Sequence, residues 1–130
     1  MQIHQSAEDY LETILMLSQR MGKVRSIDVV NELGFTKASV SIAMKKLREN
    51  GYIAVDGEGN LTLLEPGREI AERIYSRHRL LTHFVMQLGV DEKTAAEDAC
   101  KAEHILSEQT LEKIRERAIE TDAELGKTVK

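Results

Sequence analysis

In the stretch Asp98-Ala99-Cys100-Lys101-Ala102-Glu103-His104, three side chains that can each give a lone pair to a transition metal, Cys100, Glu103 and His104, fall at helical spacing. On a helix, Cys100 lies one turn before both Glu103 and His104, so a thiolate, a carboxylate and an imidazole share one face. The other candidate ligands are far away in the chain: Asp9 and Glu12 near the start, and His78 in the middle. If the six converge, a metal ties the first helix to two late ones. Plainer roles exist for each. Cys100 could be a small buried hydrophobe, acids at a helix start answer the helix dipole, and a lone His on a helix is commonly surface or core filler. His83 has only that last reading.

The elements that must position these residues read as mostly helical. Ser6 is a good N-cap for a helix over 7–20, with Asp9 three residues on as a weaker capping box. Gly22 ends it, and Val24-Arg25 is a short extended piece. Ser26 caps a second helix, 27–33, with Ile27 and Val30 turned inward, and Gly34 stops it. Phe35 anchors the turn. Thr36 caps a third helix, 37–50, whose inner stripe is Val40, Ala43, Met44 and Leu47. Two helices, a glycine turn, then a helix opening on small polar residues is helix-turn-helix grammar. A strand at 52–55, the turn Asp56-Gly57-Glu58-Gly59-Asn60 and a return strand at 61–63 add the wing. The acidic wing tip argues against a strong grip on phosphate.

A long helix follows over 66–88, with Pro66 in its first turn and His78 within it. Asp91 caps a helix over 92–106 with a small-residue stripe of Ala95, Ala99 and Ala102. Ser107 caps a last helix carrying Leu111, Ile114, Ala118 and Ile119 on one face, and 121–130 reads as a frayed tail. The expected architecture is an N-terminal winged helix-turn-helix domain, 1–65, followed by an α-helical metal-binding and dimerisation domain, 66–130.

Composition bounds the class. A hydrophobic share of 42% supports a real core, and 31% charge supports a soluble surface. No apolar run approaches the roughly 20 residues needed to span a bilayer. Met1-Gln2-Ile3-His4-Gln5 lacks the pattern of a signal peptide, and the single cysteine cannot form an internal disulfide, so a cytoplasmic location is expected. The net charge of −4 hides a basic island: from Arg20 to Arg48 seven basic residues face only Asp28 and Glu32, an excess of +5. Arg25, Ser26, Thr36, Lys37, Ala38, Ser39, Ser41, Lys45 and Lys46 are the candidate DNA contacts. The small residues allow close approach to base edges, and the lysines suit phosphate.

The segments Ser6-Ala7-Glu8-Asp9-Tyr10-Leu11-Glu12-Thr13-Ile14, Arg77-His78-Arg79-Leu80-Leu81 and Cys100-Lys101-Ala102-Glu103-His104, set in this order around a winged helix, resemble the diphtheria toxin repressor family, which includes the manganese transport regulators. The likeness runs from about Ser6 to Ala118. It implies a homodimeric repressor that binds Mn(II) or Fe(II), one or two ions per subunit, and then double-stranded operator DNA near metal-uptake genes. It also implies that Asp9, Glu12, His78, Glu103 and His104 match the ligands of manganese-type members. Position 100 departs from that pattern: manganese-type members carry a glutamate there, and iron-type members a cysteine. Iron-type members in turn have a methionine where this chain has Asp9. The iron-type ancillary site is matched only at His78, because Thr82 and Ala96 replace its glutamate and histidine. The SH3-like domain of longer relatives is expected to be missing.

Carboxylates with imidazoles make a mostly hard site that suits Mn(II) or Fe(II), and a thiolate shifts it toward softer ions. The alternative is a winged-helix regulator that senses a small organic ligand, in which metal has no effect on DNA binding. A metalloenzyme is disfavoured, because no nucleophile–base pair or phosphate loop stands out beyond the ligands themselves.

Overall fold

A computed structural model describes residues 5–124. Met1–His4 and the last six residues of the expected tail lie outside that range. Six helices and three short strands follow one another: α1 (Gln5–Met21), β1 (Val24–Arg25), α2 (Ser26–Leu33), α3 (Lys37–Glu49), β2 (Ile53–Val55), β3 (Asn60–Leu63), α4 (Glu65–Gln87), α5 (Glu92–Ala102) and α6 (Glu108–Glu124). The chain divides into two compact units, 1–73 and 74–130. No helix among the described residues is long and apolar enough to cross a membrane.

The first unit is built on α1. Leu11, Ile14, Leu15 and Leu17 recur at helical spacing and are all buried. Val29 of α2, the Val40, Met44 and Leu47 stripe of α3, and Ile53, Leu61 and Leu63 of the sheet are buried as well. β3 is the central strand, antiparallel to β1 on one side (Val24 opposite Leu61) and to β2 on the other (Ile53 opposite Leu63). This is a winged helix-turn-helix. The turn between α2 and α3 is pinned where Phe35, 44% exposed, meets Tyr10 edge to face at 5.9 Å.

Local details differ from the sequence expectations. α1 already runs through Ser6, so that serine is a helical residue and not a cap. Arg25 takes the N-cap position of α2 with extended backbone, because it still pairs with Asn60 in the sheet, and its N–H donates to Asp28 Oδ2 at 2.9 Å. Ser26 therefore becomes the first helical residue. Ile27 is 43% exposed, and Val29 is the inward residue of α2. Thr36 does cap α3, its Oγ1 accepting from Ser39 N–H at 3.1 Å.

The second unit packs Leu81, Ala99 and Leu111 into a small core, flanked by Ala102, Leu106 and Ile114. Caps set its helices as expected: Thr94 N–H donates to Asp91 Oδ2 at 3.0 Å, and Thr110 N–H to Ser107 Oγ at 3.1 Å. α5 ends at Ala102, four residues short of the expected end, and Glu103 and His104 lie in the turn that follows. α6 continues through Thr121 to Glu124, where fraying was expected. The buried Asp122 holds it there: His83 Nε2 lies 2.8 Å from its Oδ2, and Gln87 Nε2 donates to its Oδ1 at 2.9 Å.

Gly67 is the tightest glycine contact in the first unit. A Cβ built there would lie 2.2 Å from the Tyr52 carbonyl oxygen, which already accepts from Leu64 N–H. Gly67→Ala is expected to destabilise the protein by about 1–3 kcal/mol in urea denaturation. Gly57→Ala, whose Cβ would meet nothing within 4 Å, is expected to be near neutral. Equal stabilities of the two variants would contradict this packing.

Candidate metal centre and nucleic-acid interface

The second unit brings three of the six sequence-derived ligands together. Glu103 is fully buried, with a relative exposure of 0%. Its Oε2 lies 3.1 Å from His78 Nδ1, and its Oε1 lies 3.4 Å from His104 Nε2. Oε1 has no hydrogen-bond partner among the described residues. A buried carboxylate flanked by two imidazoles is a donor set of one hard oxygen group and two borderline nitrogens, which suits a divalent first-row metal.

The backbone explains how these groups meet. Glu103 keeps helical dihedrals as the C-cap of α5, its N–H donating to the Ala99 carbonyl at 2.9 Å, so its side chain follows the buried Ala95 and Ala99 stripe inward. Arg77, the residue before His78 on α4, holds the same turn. Its Nη1 donates to the Glu103 carbonyl oxygen at 3.3 Å, and its Nη2 pairs with the Glu108 carboxylate. Arg77 is thus a positioning residue, overlooked among the ligand candidates because its own side chain cannot ligate a cation. Cys100 is exposed, in contrast to Glu103 one turn on.

Asp9 and Glu12 stand one turn apart on α1 in the first unit. Asp9 is half-buried, and Glu12 is 6% exposed. The helix dipole acts mainly within the first turn. α1 begins at Gln5, and its first-turn acid is Glu8, so the dipole does not account for a buried carboxylate at Glu12. Burial, followed by the charge of Asp9, pushes the Tyr10 hydroxyl above its ordinary pKa.

In the same unit, α3 exposes Lys37, Ala38, Ser39, Ser41, Lys45 and Lys46. Thr36 is exposed at its cap, and its hydroxyl also donates to Ser39 Oγ at 2.9 Å. Ser26 is half-buried. Arg25 is exposed, and its guanidinium runs beside the wing turn, where the absence of a side chain at Gly59 (φ +86°) leaves it room. Asp56 of that turn has a structural use. Asp56 Oδ1 accepts from the N–H groups of Glu58 and Asn60, both at 2.9 Å, and its Oδ2 accepts from Asn60 Nδ2 at 3.0 Å. These bonds, the Asn60 side chain first, hold the Asp56 carboxyl below its ordinary range.

The chain's likeness to known proteins covers both units. The N-terminal DNA binding domain of the iron dependent repressor family matches residues 2–61, and the metal binding and dimerisation domain of that family matches residues 64–120. An uncharacterized HTH-type transcriptional regulator of Methanocaldococcus jannaschii is 37% identical over 85% of this chain and 90% of its own length. The HTH-type transcriptional regulator MntR of Bacillus subtilis is 34% identical over 84% of this chain and 77% of its own. A solved manganese-dependent transcriptional repressor in complex with manganese is 30% identical, with a TM-score of 0.75 over 92% of this chain. This chain spans about half the length of that structure, 52%.

Arg77→Ala is expected to leave the secondary structure unchanged and to weaken Mn(II) binding about ten-fold, the usual scale for a group that orients a ligand, as read by titration calorimetry. Unchanged Mn(II) affinity would remove Arg77 from the centre.

Proposed function

We propose that this chain, which belongs to the iron-dependent repressor family, is a metal-dependent transcriptional repressor that controls metal-ion homeostasis. The winged helix, 1–65, takes double-stranded operator DNA, and the helical part, 66–130, holds the metal and forms a homodimer in the cytoplasm. The role is regulatory and not catalytic. The observation that carries the reading is Glu103, a fully buried carboxylate set between the imidazoles of His78 and His104.

Asp9, Glu12, His78, Cys100, Glu103 and His104 are the proposed ligands of Mn(II) or Fe(II), one or two ions per subunit. The residues fit such an ion: the Glu103 Oε1 atom is available, and the set is dominated by oxygen with imidazole nitrogen. When bound, the metal supplies positive charge that offsets the carboxylates of Asp9, Glu12 and Glu103. His78 and His104 contribute neutral donors, and Arg77 keeps the Glu103 turn in place. Cys100 brings a softer donor that favours Fe(II) over Mn(II), and Asp9 with Glu12 favours Mn(II). A thiolate ligand is also a point of oxidation.

In this reading metal binding and DNA binding are linked. By reciprocity, DNA then raises metal affinity by the same factor. In the dimer, two copies of α3 enter successive major grooves about one helical turn apart. Lys37, Lys45 and Lys46 meet phosphate, and Ala38, Ser39 and Ser41 approach base edges.

The test is fluorescence anisotropy of the full chain on labelled duplex from upstream of its own gene, run without oxygen at fixed salt. Binding is expected with Mn(II) or Fe(II) and not with chelator, and His104→Ala is expected to bind equally weakly in both conditions while keeping its helical content. Equal binding by the unaltered chain with chelator and with metal would overturn metal control and favour a small organic effector.

A further inference from the structure

α3 presents one residue for which neither the core nor the phosphate contacts have a use. Ile42 is 58% exposed, on the side of the helix opposite the buried Val40, Met44 and Leu47. Ala38 and Ser39 lie one turn before it, and Lys45 and Lys46 one turn after. With Ser39, Ala43, Lys46 and Leu47 it lines one wall of a groove of about 400 Å³, whose other wall is Ser6, Ala7 and Tyr10 of α1.

The surroundings of Ile42 select what covers it. α3 carries Lys37, Lys45, Lys46 and Arg48 against the single acid Glu49, so the helix surface complements a polyanion. The hydroxyls at the start of the helix are partly committed: Thr36 Oγ1 accepts from Ser39 N–H and donates to Ser39 Oγ. The side chain that stands at the middle of the outward face therefore has no polar group with which to read a base. Among the edges that base pairs present in the major groove, the apolar group is the 5-methyl of thymine.

We propose that Ile42 packs against thymine methyl groups and so selects A·T pairs under the middle of α3. The inference rests on the DNA-binding reading above and adds to it a residue that determines sequence preference.

The test uses duplexes selected from a random library by the full chain with Mn(II). Each thymine is then replaced singly by deoxyuridine, which removes the methyl group and nothing else. At one or more positions in each half-site, the replacement is expected to lower the affinity of the unaltered chain about four-fold, the effect of one buried methyl group. Ile42→Ala should bind the thymine duplex more weakly and be indifferent to deoxyuridine, with an unchanged circular dichroism spectrum and melting temperature. Tight binding with no dependence on any thymine methyl, selected sites without thymine, or an Ile42→Ala variant that keeps the methyl dependence would each overturn the role of Ile42 while leaving the repressor reading intact. Failure to select any duplex with metal would overturn the DNA-binding reading and this inference with it.

Discussion

Taking a carboxylate out of water costs several kcal/mol unless its charge and lone pairs are answered, and Glu103 has no solvent exposure. His78 and His104 stand beside its two oxygens, yet Oε1 lacks a hydrogen bond among the described residues. Replacing a whole buried polar set of this kind by well-packed apolar residues is often neutral or stabilising, so stability alone does not account for it. A carboxylate held there against its solvation is the group we propose to receive the cation. Much else in the second unit follows from keeping that carboxylate where it is.

The helices around Glu103 are set by short-range devices that leave little freedom at the turn. Ala95 and Ala99 let α5 sit close to its neighbours, and Ala99 meets Leu81 and Leu111 in the core. Ser107 starts α6 just after the turn, and Arg77 bonds both the turn and the first residue of α6, Glu108. Further along, Asp122 joins His83 and Gln87 of α4 to the last turns of α6. Two polar clusters thus hold α4 and α6 in register on either side of a very small apolar core. In the first unit the order is reversed: a continuous apolar core around α1 carries the fold, and the polar residues of α3 and the wing are left at the surface.

Features written in local chemistry were legible in the sequence. The Thr36 cap, the glycine stops, the wing turn and the inner stripe of α3 rest on signals within one or two turns of chain, and the structure contains them. Features decided by tertiary pairing were not. Sheet pairing of Arg25 with Asn60 moved the cap of α2 off Ser26, and the face of α2 turned so that Val29 and not Ile27 went inward. The periodicity past Ala102 concealed the end of α5, and a partner thirty-nine residues away in the chain made Asp122 part of the core. Of the candidate site, Glu103 and His104 stood out by donor type and spacing, whereas His78, a lone histidine on its helix, stood out only through the family resemblance. Arg77 acts through the backbone of another residue, and Ile42 is conspicuous only for its exposure, which composition does not reveal.

Thermal unfolding of the unaltered chain and of Glu103→Gln, each titrated with Mn(II) against chelator under anaerobic conditions, tests the central claim most directly. The glutamine keeps the shape of the buried group and removes its charge. A ligand that binds only the folded state at one hundred times its Kd stabilises it by about 2.7 kcal/mol, so the melting temperature of the unaltered chain is expected to rise with Mn(II) and that of Glu103→Gln to stay where it is in chelator. An equal rise in both would mean that the carboxylate buried between His78 and His104 is not the seat of the metal.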